Sequence, residues 1–247
     1  MRRRTLFGLQ AVAAFAILAA PAIAQTCPPA RTIALAPGDT VGALTPGYRA
    51  PPLKAREVVL TFDDGPNANV TPRILDILKQ RCLPATFFPI GPSAVQNPEL
   101  LARVLAEGHA VGGHTASHTD LTTMPLEDAA KDITDGFAPL IAAGASESLF
   151  RFPMLSSTPD LTGWLGQHGI AAVSADIDPH DWAGDPPAET LARLKAQLKE
   201  KQGGVILLHD NQPNTAELLP VLLDYLLANG YTVVRLTGAN PAAKTAG

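Results

Sequence analysis

The apolar run Val58-Val59-Leu60-Thr61-Phe62 passes straight into Asp63-Asp64-Gly65-Pro66. A short continuous run of this kind, stopped by turn residues, has the pattern of a buried strand. Two adjacent carboxylates at the mouth of a strand repel each other unless a metal or a basic side chain lies beside them. By composition alone, Asp-Asp-Gly-Pro favours a plain turn. What the rest of the chain supplies decides between these two readings.

The same punctuation recurs along the chain. Thr71-Pro72 opens a helix through Gln80, with Thr71 as its cap and Pro72 tolerated in the first turn. A strand is expected over 84–90, then a helix capped by Asn97-Pro98 that runs to Glu107 and ends at Gly108. A short extended stretch over 109–113 and a helix over 125–143 follow. Further on come a strand at 149–152, a helix at 159–168 and a strand at 170–175. The helix over 187–201 places Leu191, Leu194 and Leu198 on one face, as an outer helix should. A fully apolar strand at 205–208 leads to His209-Asp210, before a helix at 215–228 and a last strand at 231–236. Strands alternating with helices imply a parallel sheet with helices outside. About seven units over about 200 residues suit a closed barrel better than an open sheet. The expected fold is α/β, a single-domain barrel. Asp63, Asp64, Arg151 and His209 each lie at the C-terminal end of an expected strand, where barrel loops build active sites.

Residues 1–24 read as a cleavable signal peptide. Arg2-Arg3-Arg4 precedes an apolar run from Leu9 to Ala20, and Ala22-Ile23-Ala24 offers a cleavage site before Gln25. That run is short and alanine-rich for a membrane span, and an uncleaved anchor is the alternative reading. The order Arg-Arg-Thr-Leu resembles a twin-arginine signal, and the destination is the periplasm or the exterior. Residues 25–56, rich in Pro, Ala and Gly, read as an N-terminal arm laid over the body. Residues 57–237 form the domain that carries the motifs, and 238–247 a C-terminal tail. Removing 1–24 takes three arginines and no acids, so Lys+Arg falls from 19 to 16 against 23 Asp+Glu and the formal charge moves from -4 to -7. Such a chain is a poor nucleic-acid binder and suits a neutral or cationic polymer better than a polyanion. Cys27 and Cys82 are the only cysteines. In an oxidising compartment they pair and tie the arm to the body; otherwise Cys82 is a buried free thiol.

Four more clusters carry chemistry. His114 and His118 stand one helical turn apart, either as two ligands of one metal or as surface histidines on an exposed helix. With Asp64 as an oxygen ligand, the set would leave an open position of the catalytic type and free Asp63 to act as a base. Arg151-Phe-Pro-Met154 places an arginine where it could orient a carboxylate, or on the surface. Asp178-Pro-His-Asp181-Trp182 is a polar loop or an ordinary turn. His209 is a core histidine or, held by an acid such as Asp181, a proton donor. His109, His168 and His180 have no ligand spacing and are expected to be structural.

Together, Thr61-Phe-Asp-Asp-Gly65, His114-x-x-x-His118, Arg151-x-Pro153, Asp178-x-x-Asp-Trp182 and Leu207-x-His209 resemble the five ordered motifs of the polysaccharide deacetylase family, carbohydrate esterase family four. The resemblance covers 57–210. It implies a distorted (β/α)7 barrel and a divalent metal, zinc first with cobalt or nickel as alternatives, on Asp64, His114 and His118. It further implies Asp63 as general base oriented by Arg151, and His209 as general acid tuned by Asp181. Trp182 and Leu207 would shape the pocket for the acetyl methyl. Met154 stands where the family often has an aromatic residue whose backbone N–H helps form the oxyanion hole; the donor survives and the aromatic surface does not. Gly113 replaces a common asparagine. The implied activity is hydrolysis of the N-acetyl amide in N-acetylglucosamine-containing polysaccharide, chitin-like or peptidoglycan, to free amine and acetate. An acetyl-xylan esterase, a small-amide hydrolase and a non-catalytic carbohydrate-binding module are the alternatives. The last is disfavoured because both proton-transfer residues are present. The expected partner is a saccharide, with neither nucleic acid nor stable membrane insertion.

Overall fold

In chain order the elements are β1 (Thr32–Leu35), β2 (Thr40–Val41), β3 (Glu57–Asp63), α1 (Thr71–Arg81), β4 (Thr86–Phe88), α2 (Gly91–Gln96), α3 (Pro98–Ala106) and β5 (Ala110–Val111). They continue with α4 (Leu126–Ala142), β6 (Leu149–Phe150), α5 (Pro159–Gln167), β7 (Ala171–Val173), α6 (Pro187–Lys201), β8 (Gly204–His209), α7 (Pro213–Ala228), β9 (Thr232–Val233) and β10 (Arg235–Gly238). This computed structural model describes residues 27–146 and 148–238. The expected signal peptide (1–24) and nearly all of the expected tail lie outside the described residues.

Every strand pairing is parallel. Strand β3 lies between β4 and β8, β4 also pairs with β5, and β6 with β7. Two single bridges, Gly113↔Phe150 and Ile177↔Ile206, join these groups. The wall therefore closes in the order β3–β4–β5–β6–β7–β8, a distorted α/β barrel. The seventh strand, β9, pairs with the first residues of β3, Glu57 and Val58, below the point where β4 begins opposite Thr61.

Strand β3 explains the layering. All seven of its residues are buried, and successive side chains alternate between the two faces. Val58, Leu60 and Phe62 pack outward with Ile74, Leu75 and Leu78 of α1 and Leu219, Leu222 and Leu223 of α7. Val59 packs inward with Phe88, Leu149, Val173, Val205 and Leu236. Fully burying an aliphatic side chain of this size contributes about 1.5–3 kcal/mol, so both layers favour this one register. Asp63 belongs to the inward set, which carries it to the mouth of the barrel.

Several local expectations need correction. The stretch 25–56 is more than an arm: β1 pairs with β10 and β2 with β7, and Ile33, Leu35 and Val41 join the interior cluster. Strands of four and two residues are too short for their period to be read. The last strand is broken into β9 and β10. Thr71 is not the cap of α1, since Val70 precedes the helix without a side-chain cap. Its hydroxyl instead accepts from the Asn67 N–H (2.7 Å) and donates to Asp210 Oδ2 (2.6 Å). Asn97 does occupy the N-cap position of α3, but its side chain makes no capping hydrogen bond; its amide donates to the Pro66 and Ser93 carbonyls. The Cys27–Cys82 disulfide forms and ties the segment before β1 to the end of α1. No helix among the described residues is long and apolar enough to cross a membrane.

Candidate active site

Adjacent strand residues normally face opposite sides, yet Asp63 and Asp64 address the same mouth. The backbone resolves this at Asp64, which has φ +73° and leaves the strand in a left-handed turn. His114 Nε2 then lies 3.7 Å from Asp63 Oδ2 and 3.5 Å from Asp64 Oδ1, and His118 Nε2 is 3.2 Å from the same Asp64 oxygen. The histidine pair does not ride on a helical turn as its spacing suggested. It sits on a loop after β5, with Thr115 at φ +67° and His118 at φ +53°, closed by the His118 N–H donating to Thr115 Oγ1 (2.9 Å). Left-handed conformations persist where the surroundings impose them, and here the loop folds the two rings to 5.0 Å between centroids.

Asp64, His114 and His118 each offer one ligand atom, and these atoms lie within 4.8 Å of one another. Two features fit this set to a cation. Asp64 Oδ1 is buried with no hydrogen-bond partner, whereas buried polar atoms are normally paired. His114 Nδ1 lies 2.7 Å from the Arg151 carbonyl oxygen, which can only accept. The proton is therefore on Nδ1, and the Nε2 lone pair faces Asp64. Burial opposes ionisation of Asp64, but the facing imidazoles of His114 and His118 outweigh it and hold the carboxyl well below the usual range. The Asp64 carboxylate beside it pushes His118 up.

Arg151 is fully buried and fills the space behind Asp63. Nη1 donates to Asp63 Oδ1 (2.7 Å) and Thr61 Oγ1 (2.7 Å), Nε to the Val173 carbonyl (3.0 Å) and Nη2 to the Ser174 carbonyl (3.0 Å). Its guanidinium lies 4.4 Å from the centroid of the Phe88 ring. On the other side, His209 Nδ1 is 2.7 Å from Asp181 Oδ1, and the His209 backbone N–H donates to Asp181 Oδ2 (2.8 Å). Thr215 Oγ1 donates to that same oxygen. Burial disfavours the charged imidazole, but Asp181, followed by Asp63 and Asp64, overcomes it and pushes His209 up to about 9.

A cavity of about 490 Å³ opens over this centre. Asp63, Asp64, His114, His118, Met154, Trp182, Leu207 and His209 line it, while Arg151 and Asp181 lie behind, so the structure brings all ten predicted site residues together. Met154 (64% exposed) and Trp182 (54%) are open to solvent on its rim. Of the histidines expected to be structural, His109 accepts from the Ala85 N–H, and burial pushes it down to about 4. His168 stacks on Trp164, and His180 lies 3.6 Å from Asp178.

Sequence reasoning missed several participants. Phe152 and Leu155 also line the cavity, beside Asp178 of the motif Asp178-x-x-Asp-Trp182. Asn211 Nδ2 donates to Asp64 Oδ2 (3.3 Å). Asp210 accepts from the Gly65 N–H (2.9 Å) and from Thr71, and burial pushes it up to about 7. A Cβ at Gly65 would lie 2.0 Å from Asp210 Oδ2, so only glycine fits there. Asp210 and Asn211 directly follow His209 at the same strand mouth, and that position was the signal available for them.

The family model for polysaccharide deacetylase matches residues 50–173. A chitooligosaccharide deacetylase from Bradyrhizobium sp. (strain ANU 289) is 39% identical over 162 residues, covering 64% of this chain and 72% of the relative. A peptidoglycan-N-acetylglucosamine deacetylase from Bacillus cereus is 32% identical over 191 residues, covering 75% and 89%. Among solved structures, the Bdellovibrio bacteriovorus peptidoglycan deacetylase Bd3279 superposes with a TM-score of 0.78 at 32% identity, covering 87% of this chain and 60% of that one. The chain belongs to the polysaccharide deacetylase family, whose members of known structure share its distorted (β/α)7 barrel.

Proposed function

We propose that this chain is an exported, metal-dependent N-deacetylase that releases acetate from N-acetylglucosamine units of a saccharide. The observation that carries the reading is the convergence of Asp64, His114 and His118 beside the unligated carboxylate of Asp63, in one cavity with His209. Asp64, His114 and His118 would hold a divalent cation, zinc by its donor set with cobalt or nickel as alternatives, which supplies polarisation of the amide carbonyl and acidification of water.

The chain's own groups do the rest. Asp63 takes the proton of the attacking water at Oδ2, because Oδ1 is held by Arg151. His209 is charged and has its Nδ1 proton committed to Asp181, so Nε2 delivers the proton to the departing amine. Trp182 and Leu207 receive the acetyl methyl, and the Met154 backbone N–H serves the developing oxyanion. Export is supported by the Cys27–Cys82 disulfide, which persists in oxidising compartments.

The test is acetate release from N-acetylated chito-oligosaccharides and glycan strands, by metal-depleted and reconstituted protein. Acetate and free amine should appear only with metal. A metal-loaded protein that releases acetate from none of these saccharides overturns the reading.

A further inference from the structure

The loop that follows β2 reaches the active site from outside the region matched by the family model, which begins at residue 50. Beyond Val41 the chain follows β7 toward the mouth. The Ser174 N–H donates to the Val41 carbonyl (2.7 Å), the Leu44 N–H to the Ala175 carbonyl (2.9 Å) and the Ala43 N–H to Asp176 Oδ1 (2.8 Å). The chain then returns, with the Gly42 N–H donating to the Arg49 carbonyl (3.0 Å). Gly42 has φ +110°, and a Cβ there would lie 2.6 Å from the Ser174 carbonyl carbon. A larger residue would push the loop off the barrel.

Within this loop Thr45 is buried, and its hydroxyl serves two residues of the site. Oγ1 donates to the Leu155 carbonyl (2.9 Å) and lies 2.7 Å from Ser174 Oγ. A hydroxyl has one proton to give, so with that proton on Leu155 it accepts from Ser174. Ser174 is also the residue whose carbonyl accepts from Arg151 Nη2. Leu155 follows Met154, and both of these non-glycine residues stand at φ +54°. L-residues keep that conformation only where their surroundings impose it. Tyr48, further along the same loop, adds a second hold, its hydroxyl donating to Ser157 Oγ (3.1 Å).

Building on the deacetylase reading, in which the Met154 N–H meets the developing oxyanion, we propose that Thr45 is a positioning residue for that donor. The bond from Thr45 to Leu155 holds the left-handed turn and with it the aim of the Met154 N–H. The loop between β2 and β3 is thereby part of the catalytic apparatus, although Thr45 and Tyr48 precede the matched residues 50–173. Losing the Thr45 hydroxyl leaves the donor present and loosens its aim. The effect falls on the transition state rather than on substrate binding, and so on kcat rather than KM.

The experiment measures kcat per bound metal, KM and metal content on N-acetylchitotetraose, for metal-reconstituted parent, Thr45→Val, Thr45→Ser and Tyr48→Phe. Thr45→Val keeps the shape and removes the hydroxyl. Its kcat should fall about tenfold, less than the roughly 10²–10³ that follows outright removal of an oxyanion donor, with KM and metal content unchanged. Thr45→Ser, which keeps the hydroxyl, should recover kcat to within about twofold of the parent. Tyr48→Phe should lower kcat about threefold, and it decides the matter where Thr45→Val does not fold. A Thr45→Val protein that melts earlier yet turns over at the parental kcat per bound metal overturns the proposal, as does a Thr45→Ser protein as slow as Thr45→Val. If Thr45→Val does not fold, a parental kcat in Tyr48→Phe overturns it. Parent protein that releases acetate from no saccharide overturns the deacetylase reading and this proposal with it, and that failure is seen before any variant is compared.

Discussion

Replacing Asp181 by asparagine should convert His209 from a charged donor into a neutral ring. In the parent protein, Asp181 Oδ1 faces His209 Nδ1, while Oδ2 accepts from the His209 backbone N–H and from Thr215. An asparagine must keep its oxygen toward those two donors, which turns its NH₂ toward Nδ1. Nδ1 then has to accept, so the proton resides on Nε2 and the second proton has no place. Burial, the largest influence on His209 and one that disfavours charge, is left opposed only by the more distant Asp63 and Asp64. The pKa should fall from about 9 to below the ordinary 6.5, a loss of about 3 kcal/mol of preference for the charged form.

The same shift sets a pH dependence of stability. His209 has a folded-state pKa above its unfolded value, so its contribution is complete below pH 6.5 and disappears as the pH rises through about 9. Parent and Asp181→Asn should therefore differ by about 3 kcal/mol near pH 6 and converge at alkaline pH. Ring titration by NMR in the metal-free proteins, with calorimetry at both pH values, measures the two effects. A His209 that still titrates near pH 9 in the variant would refute the reasoning.

Three further outcomes follow from the geometry. Asp64→Asn and His118→Ala should lose bound metal, whereas Asp63→Asn should retain it and lose about 10²–10⁴ in kcat; metal analysis beside kinetics decides, and equal metal loss in all three removes the proposed division of labour. Arg151→Met strips four hydrogen bonds from buried acceptors and leaves Asp63 unpaired, which should destabilise by about 3–5 kcal/mol and lower Tm by about 10 °C; a Tm within a few degrees of the parent contradicts this. Gly113→Asn, which restores the residue expected from the family pattern, puts a Cβ 2.7 Å from the Phe137 ring and should destabilise by about 1–3 kcal/mol, with partial recovery in a Gly113→Asn/Phe137→Leu double variant followed by thermal melting.

The site was legible because its chemistry restricts residue type and its architecture restricts position. Asp63, Asp64 and His209 follow apolar runs, and a side chain at the end of a buried parallel strand has only the barrel mouth to enter. The outer layer was legible too, since helices of 11 to 17 residues such as α1, α4, α6 and α7 are long enough for their apolar stripe to repeat. Strands β1 and β2 were not, because four and two residues cannot display a period. Their partners, β10 and β7, lie more than a hundred residues away, and only tertiary contact selects the pairing.

The loop carrying the histidines makes the same distinction within one motif. A four-residue spacing fits one helical turn, and that local reading brings both rings to one face. The fold reaches the same convergence by another backbone, because two tertiary contacts outweigh the helical preference. Gly113 bridges to Phe150 and packs closely against the Phe137 ring, and the Ala116 N–H donates to the Asp132 carbonyl. A Cβ at Gly136 would meet the Thr115 backbone at 2.4 Å, so α4 touches the loop backbone directly at that glycine. Helix α4 thus presses the loop against the mouth and orients His114 and His118 toward Asp64. The spacing of the two histidines speaks for a shared ligand, but the helix behind the loop determines how they reach it.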